Sequence, residues 1–145
     1  MTLRDAIKRV SEQFSRNGSF LLLPNESINE VVVRERVSNE YGVYIIFSCD
    51  KPECPIYIGK AGTIRTNGTW KEQGLRERLT AVQKKKRRVE FFRGLMRDTY
   101  RNGLEFRWFI THDGKDGRLP ALAEIELLQA HLDEFGCLPE LNEAA

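Results

Sequence analysis

Leu3, Ile7, Val10 and Phe14 recur at intervals of three and four residues, the spacing that places apolar side chains on one stripe of a helix. Thr2 stands where a side-chain oxygen can accept a free N–H of the first turn, and Asp5 completes a capping-box pattern. Asn17-Gly18 ends the segment. An apolar run from Phe20 to Leu23 stops at Pro24-Asn25, and Val31-Val32-Val33 follows. Residues 1–40 are therefore expected to form an N-terminal extension of one helix and one or two short strands.

From Tyr41 the period changes to that of strands. Val43 to Phe47 and Ile56 to Ile58 are rich in β-branched and aromatic residues, and the polar stretch Asp50-Lys51-Pro52-Glu53 between them predicts a hairpin with a loop of several residues. Ala61 to Trp70 reads as one surface loop within reach of a substrate. Gly74 then opens a helix with Leu75, Leu79 and Val82 as its buried stripe, and Val89, Phe92, Leu95, Met96 and Tyr100 mark a second, closed by Asn102-Gly103. Leu104, Phe106, Trp108 and Ile110 alternate on one face of a third strand. After Asp113-Gly-Lys-Asp-Gly, whose acidic spacing is wrong for a calcium loop and reads as a plain turn, a last helix runs from about Leu119 to Phe135-Gly136. The expected fold is α+β: a small antiparallel three-stranded sheet flanked by helices, in the order β-β-α-α-β-α over residues 41–145, behind the extension.

The 145 residues suit one core. No apolar run approaches the ~20 residues that span a bilayer, and no signal-peptide order is present, so a cytoplasmic protein without a membrane partner is expected. Cys49, Cys54 and Cys137 form no Cys-x-x-Cys pair and have no neighbouring histidine, which points to reduced thiols rather than a zinc site. A net charge of +2, from 23 basic and 21 acidic residues, does not by itself announce a nucleic-acid binder. Its distribution is more telling, because Lys84, Lys85, Lys86, Arg87 and Arg88 run consecutively, with Arg76 and Arg78 just before them. Such a run suits either a phosphate backbone or a solvated turn.

Gly42-Val43-Tyr44, followed on the next strand by Tyr57-Ile58-Gly59-Lys60-Ala61, resembles the paired signature of the GIY-YIG nuclease superfamily. The resemblance extends downstream. Leu75-Arg76-Glu77-Arg78-Leu79 matches the family's helix arginine at Arg78, with Arg76 beside it. Glu124-Ile125-Glu126-Leu127-Leu128 matches its helix glutamate, and Pro139-Glu140-Leu141-Asn142 its closing asparagine. Helical geometry alone leaves Arg76 and Arg78 open. For the glutamate it favours Glu124, which lies about 65° from the centre of an Ile125/Leu128/Leu132/Phe135 stripe, against about 135° for Glu126. Many relatives carry His or Tyr one turn after the arginine, where this chain has Val82. His112 and His131 match no slot and read as packing or surface residues.

The resemblance implies a metal-dependent DNA endonuclease. Glu124 would hold Mg2+ or Mn2+, Arg78 the scissile phosphate, and Tyr44 would act on the attacking water with its phenol lowered by Lys60 or the metal. Tyr57 would position water or phosphate, Gly59 would leave room for the DNA backbone, and Asn142 would brace the site. Lys60, Arg76 and the run from Lys84 to Arg88 would bind the substrate. Two other classes fit the same residues: a non-cutting DNA-binding module on this fold, and an interaction protein in which the tyrosines only pack. Oligomeric state and sequence specificity leave no mark that can be read.

Overall fold

Val43, Ile45 and Phe47 alternate with Tyr44 and Ile46, so a strand built from them is apolar on both faces and must be covered on both. That requirement sets the architecture. The computed structural model describes residues 1–71, 73–83 and 86–145. In chain order its elements are α1 (Leu3–Gln13), β1 (Asn17–Leu22), α2 (Ile28–Arg34), β2 (Tyr41–Ser48), β3 (Lys51–Ala61), α3 (Leu75–Thr80), β4 (Val82–Gln83), β5 (Lys86–Arg87), α4 (Arg88–Asp98), β6 (Leu104–His112) and α5 (Pro120–Phe135). Four strands form one antiparallel sheet in the order β1-β6-β2-β3, and β4 pairs separately with β5. The class is α+β.

Helices cover both faces of the sheet. Tyr44, Ile46, Phe106 and Ile110 pack with Ile28, Val31 and Val32 of α2, Leu75 and Leu79 of α3, and Phe92 and Met96 of α4. On the other face, Val43, Ile45, Ile58 and Phe109 pack with Leu3, Ala6 and Val10 of α1 and Ala123, Leu127 and Ala130 of α5. Tyr44, Ile45, Ile58 and Leu127 are each no more than 1% exposed, so each apolar side chain here contributes on the order of 1.5–3 kcal/mol through burial. Among the described residues no helix is long and apolar enough to cross a membrane.

Several expectations hold in detail. Thr2 caps α1, its hydroxyl accepting from Asp5 N at 3.1 Å. Pro120 opens α5, and Gly136 closes it in the left-handed conformation (φ 74°), where a side chain would be strained. The Asp113 carboxylate turns back on its own loop, accepting from Lys115 N and Asp116 N at 2.8 and 2.7 Å, as in a plain turn.

Others are corrected. The sheet has four strands rather than three, because β1 from the N-terminal segment pairs with β6 along its full length, from Asn17 opposite Phe109 to Leu22 opposite Leu104. Val31-Val32-Val33 is helical, since Ile28, Val31 and Val32 at helical spacing bury one face of α2 and burial overrides β propensity. The first-strand connection is a tight turn: Lys51, Pro52 and Glu53 already belong to β3, and Pro52 is tolerated there because β3 is an edge strand. Helix α3 ends at Thr80, so Val82 lies in β4 and not on the helix stripe, and Tyr100 follows the end of α4. On α5 the expected stripe is wrong. Ile125, Leu132 and Phe135 are 51%, 42% and 37% exposed, whereas Ala123, Leu127, Leu128, Ala130 and His131 are buried. The small alanines let the helix lie close to the sheet.

Candidate active site around strand β3

The pairing of β2 with β3 sets Tyr44 opposite Gly59 and Ile46 opposite Tyr57, so the two tyrosines are diagonal neighbours on the face covered by α2 to α4. Their rings lie 5.8 Å apart. Gly59 is what permits this. A Cβ at that position would stand 2.5 Å from Tyr57 Cε2 and 2.8 Å from both Cζ and Oη of Tyr44. The space made by the missing side chain is filled by the tyrosines, which corrects the expectation that Gly59 clears a path for a DNA backbone.

Tyr44 is 1% exposed. Burial and, after it, the neighbouring Tyr57 push its hydroxyl well above the ordinary tyrosine range, while the charges of Arg88 and Arg78 and a hydrogen bond from Arg78 pull it part of the way back. The expectation of a lowered phenol beside Lys60 is therefore corrected. Among the described residues the cations that reach Tyr44 are the two arginines, and at neutral pH its phenol keeps the proton.

Lys60 does other work. Alternation along β3 puts it on the side of Ile58, toward α5, where its ammonium donates to Thr63 Oγ1 at 2.9 Å. From there its charge reaches Glu124. That carboxyl is half-buried, between the buried Ala123 and Leu127 of α5, and Glu126 is exposed. Burial pushes Glu124 up, and Lys60 and then Arg78 draw it down. Glu124 is thus the less exposed of the two carboxylates, on a different stripe from the one expected.

Arg78 links the two halves, because its charge acts on both Tyr44 and Glu124. It is half-buried on α3, whereas Arg76 is exposed. Its Nε is buried with no hydrogen-bond partner among the described residues. Asn142 closes the group from the C-terminal tail. It accepts from Ile58 N and donates to Ile58 O, both at 2.9 Å, next to the bond from Leu141 N to Ile56 O.

Of the basic run, Arg87 and Arg88 have described side chains, and the two differ. Lys84 and Lys85 lie outside the described residues, and Lys86 is described only as part of β5. Arg87 is exposed and pairs with Glu90 at 2.9 Å. Arg88 is buried against Phe91 and Phe92, which corrects its reading as a member of an exposed patch. The sequence carried a signal for this, since Arg88 lies one helical turn before Phe92 on the stripe that continues to Met96.

A further group was not anticipated. The 61–70 loop is a small hairpin, bridged between Ile64 and Trp70 and by bonds from Arg65 N to Thr69 O (2.7 Å) and Lys71 N to Thr63 O (2.8 Å). Trp70 stacks on Tyr41 at 4.0 Å and meets His112 at 4.8 Å, which ties the hairpin to the ends of β2 and β6. His131 is buried, with Nδ1 2.6 Å from Cys137 O, and so is a packing residue. All three cysteines are free thiols.

Compared with protein-family models, with curated proteins and with solved structures, the chain matches none.

Proposed function

We propose that the protein is a metal-dependent DNA endonuclease of the GIY-YIG type, which hydrolyses phosphodiester bonds with Tyr44, Tyr57, Arg78, Glu124 and Asn142. The observation that carries the reading is the position of Arg78. Its charge acts on a tyrosine of β2 and on a carboxylate of α5, groups 80 positions apart in the sequence, while one of its buried donors has no partner among the described residues. A guanidinium held in this way is suited to a phosphate, whose oxygens accept from its planar fork and whose developing charge it stabilises.

The other residues fit around that phosphate. Glu124 offers a single carboxylate, and among the described residues no three His, Cys, Asp or Glu side chains gather to hold a metal. This donor set suits a cation that keeps most of its water shell and shares phosphate oxygens, as Mg2+ or Mn2+ does. Such an ion supplies charge neutralisation on the leaving oxygen. Tyr44, protonated at rest, orients the attacking water through its phenol oxygen and takes up a proton only where cations have first stabilised its phenolate. Tyr57 lies beside it, ring to ring at 5.8 Å, and Asn142 braces β3 at the Ile58 backbone.

One observation favours a second reading. A tyrosine that is 1% exposed is also what a packing residue looks like, and a DNA-binding module that does not cut would keep Arg78 for phosphate and Tyr44 for the core. Binding and cutting of the same labelled duplex, measured with Mg2+ or Mn2+ and again with EDTA, separate the two. Metal-dependent cutting supports the nuclease, and binding without cutting under any divalent cation supports the module.

A further inference from the structure

Arg88 differs from its exposed neighbour Arg87. It is 8% exposed, it is the first residue of α4, and its guanidinium lies over the rings of Phe91 and Phe92 at 5.6 and 5.8 Å. Its Nη2 is buried with no hydrogen-bond partner among the described residues, as is Nε of Arg78. Among the described residues, ion pairs are made by Arg16, Arg34, Arg87, Arg97 and Arg107, and neither Arg78 nor Arg88 takes part in one.

Such burial is costly. A buried guanidinium without an anion forfeits hydration that ring contacts only partly return. Arg88 also stands at a helix N-terminus, where the macrodipole disfavours a cation. The backbone bond from Arg88 N to Ala81 O (3.0 Å) ties the start of α4 to the end of α3, the helix that carries Arg78. Phe92 meets Phe106 edge-on at 5.2 Å, and Phe106 is the cross-strand partner of Ile46, two residues from Tyr44. Both guanidinium charges reach the Tyr44 hydroxyl. Each of these costs falls if one anion accepts from both arginines.

We infer that Arg88 and Arg78 form a two-arginine clamp for one phosphate group beside Tyr44, the free Nη2–H of Arg88 and the free Nε–H of Arg78 each donating to a different non-bridging oxygen. The chemistry selects a tetrahedral oxyanion with two adjacent acceptors. That the oxyanion is a DNA phosphodiester rests on the nuclease reading, whereas the clamp itself does not. Arg88 is then a substrate-binding residue in its own right.

The test compares wild type, Arg88→Lys, Arg88→Met and, as a surface control, Arg34→Met. Inorganic phosphate is titrated while the arginine Nε–Hε signals are followed by NMR, and binding of a short DNA duplex is measured across salt concentrations. The clamp predicts that phosphate moves the Arg78 and Arg88 signals together in the wild type. It also predicts that Arg88→Lys weakens duplex binding about tenfold despite keeping its charge, and that Arg88→Met lowers the slope of log K against log salt by about one. Arg34→Met stays at wild type. Because the wild-type titration and Arg88→Lys each read the clamp, a poorly folded Arg88→Met does not blunt the test. Unmoved Arg78 and Arg88 signals, or wild-type duplex binding by Arg88→Lys, overturn it. The two readings fail separately: coupled signals in a protein that never cuts DNA keep the clamp and remove the nuclease, and cutting with unmoved signals does the reverse.

Discussion

Asn142 completes the outer edge of β3 at Ile58, its amide accepting from one backbone group of that residue and donating to the other at 2.9 Å each. Edge strands carry unpaired backbone groups, and this side chain satisfies two of them directly between Tyr57 and Gly59. Asn142→Ala is expected to cost about 1–2 kcal/mol, seen as a fall in Tm of roughly 4–8 °C. Asn142→Asp keeps the acceptor but sets a carboxylate against the Ile58 carbonyl. Its deficit relative to wild type should shrink as pH falls through the carboxylate range and the acid regains a donor, and an equal deficit at all pH values would count against the edge-bracing role.

Gly59→Ala places a methyl group 2.5 Å from the Tyr57 ring and 2.8 Å from the Tyr44 hydroxyl. The rings must separate, at about 1–3 kcal/mol for overpacking. Near-ultraviolet circular dichroism should report the altered tyrosine environment. If the account is right, any cleavage activity falls by roughly 100-fold, the scale expected for about 1 Å of misplacement.

Tyr44→Phe removes a hydroxyl that burial pushes well above the ordinary range. A group whose folded pKa is raised adds stability that is complete below its unfolded pKa, about 10 for tyrosine, and is lost as pH rises through the folded value. Wild type should therefore lose stability relative to Tyr44→Phe above about pH 10, measured by urea midpoints. Cleavage by the variant should drop about 100-fold or more. Full activity would leave Tyr44 as packing alone.

Glu124 is also raised by burial, against the pull of Lys60 and Arg78. The sign matches that of Tyr44: the ionised carboxylate costs stability in the folded state, and the cost disappears once pH falls below the unfolded value of about 4.3. With EDTA present, Glu124→Gln should melt slightly above wild type at pH 7, by roughly 1–3 °C after allowance for solvent screening of a half-exposed group. The two curves should converge near pH 4. A variant that melts lower than wild type at neutral pH would contradict this environment for the carboxylate.

The strands that carry the tyrosines were legible because alternation is a local signal: Val43 to Phe47 and Leu104 to Ile110 each announce a pleated, covered element. The pairing of β1 with β6 was not, since it joins residues some ninety positions apart and nothing in Asn17 to Leu22 names a partner. On α5 the largest apolar residues are not the buried ones, for Ala123 and Ala130 are buried and Ile125 is exposed. Glu124 was selected on the wrong stripe and still lies half-buried beside Ala123. Arg88 was hidden by its company, since four basic neighbours made a core arginine look like the end of a surface patch. Charge runs describe composition, and only the helix phase of Arg88 with Phe92 and Met96 distinguishes it.

The most direct test of the nuclease reading is conversion of supercoiled plasmid to nicked or linear DNA by the purified chain with Mg2+ or Mn2+, set beside EDTA controls, Glu124→Gln and Arg78→Ala. The account predicts cutting by wild type that EDTA abolishes and that each substitution lowers by at least about 100-fold. A folded wild-type protein that binds DNA but leaves plasmid, branched and single-stranded DNA intact, or a Glu124→Gln variant that cuts at the wild-type rate, would contradict it.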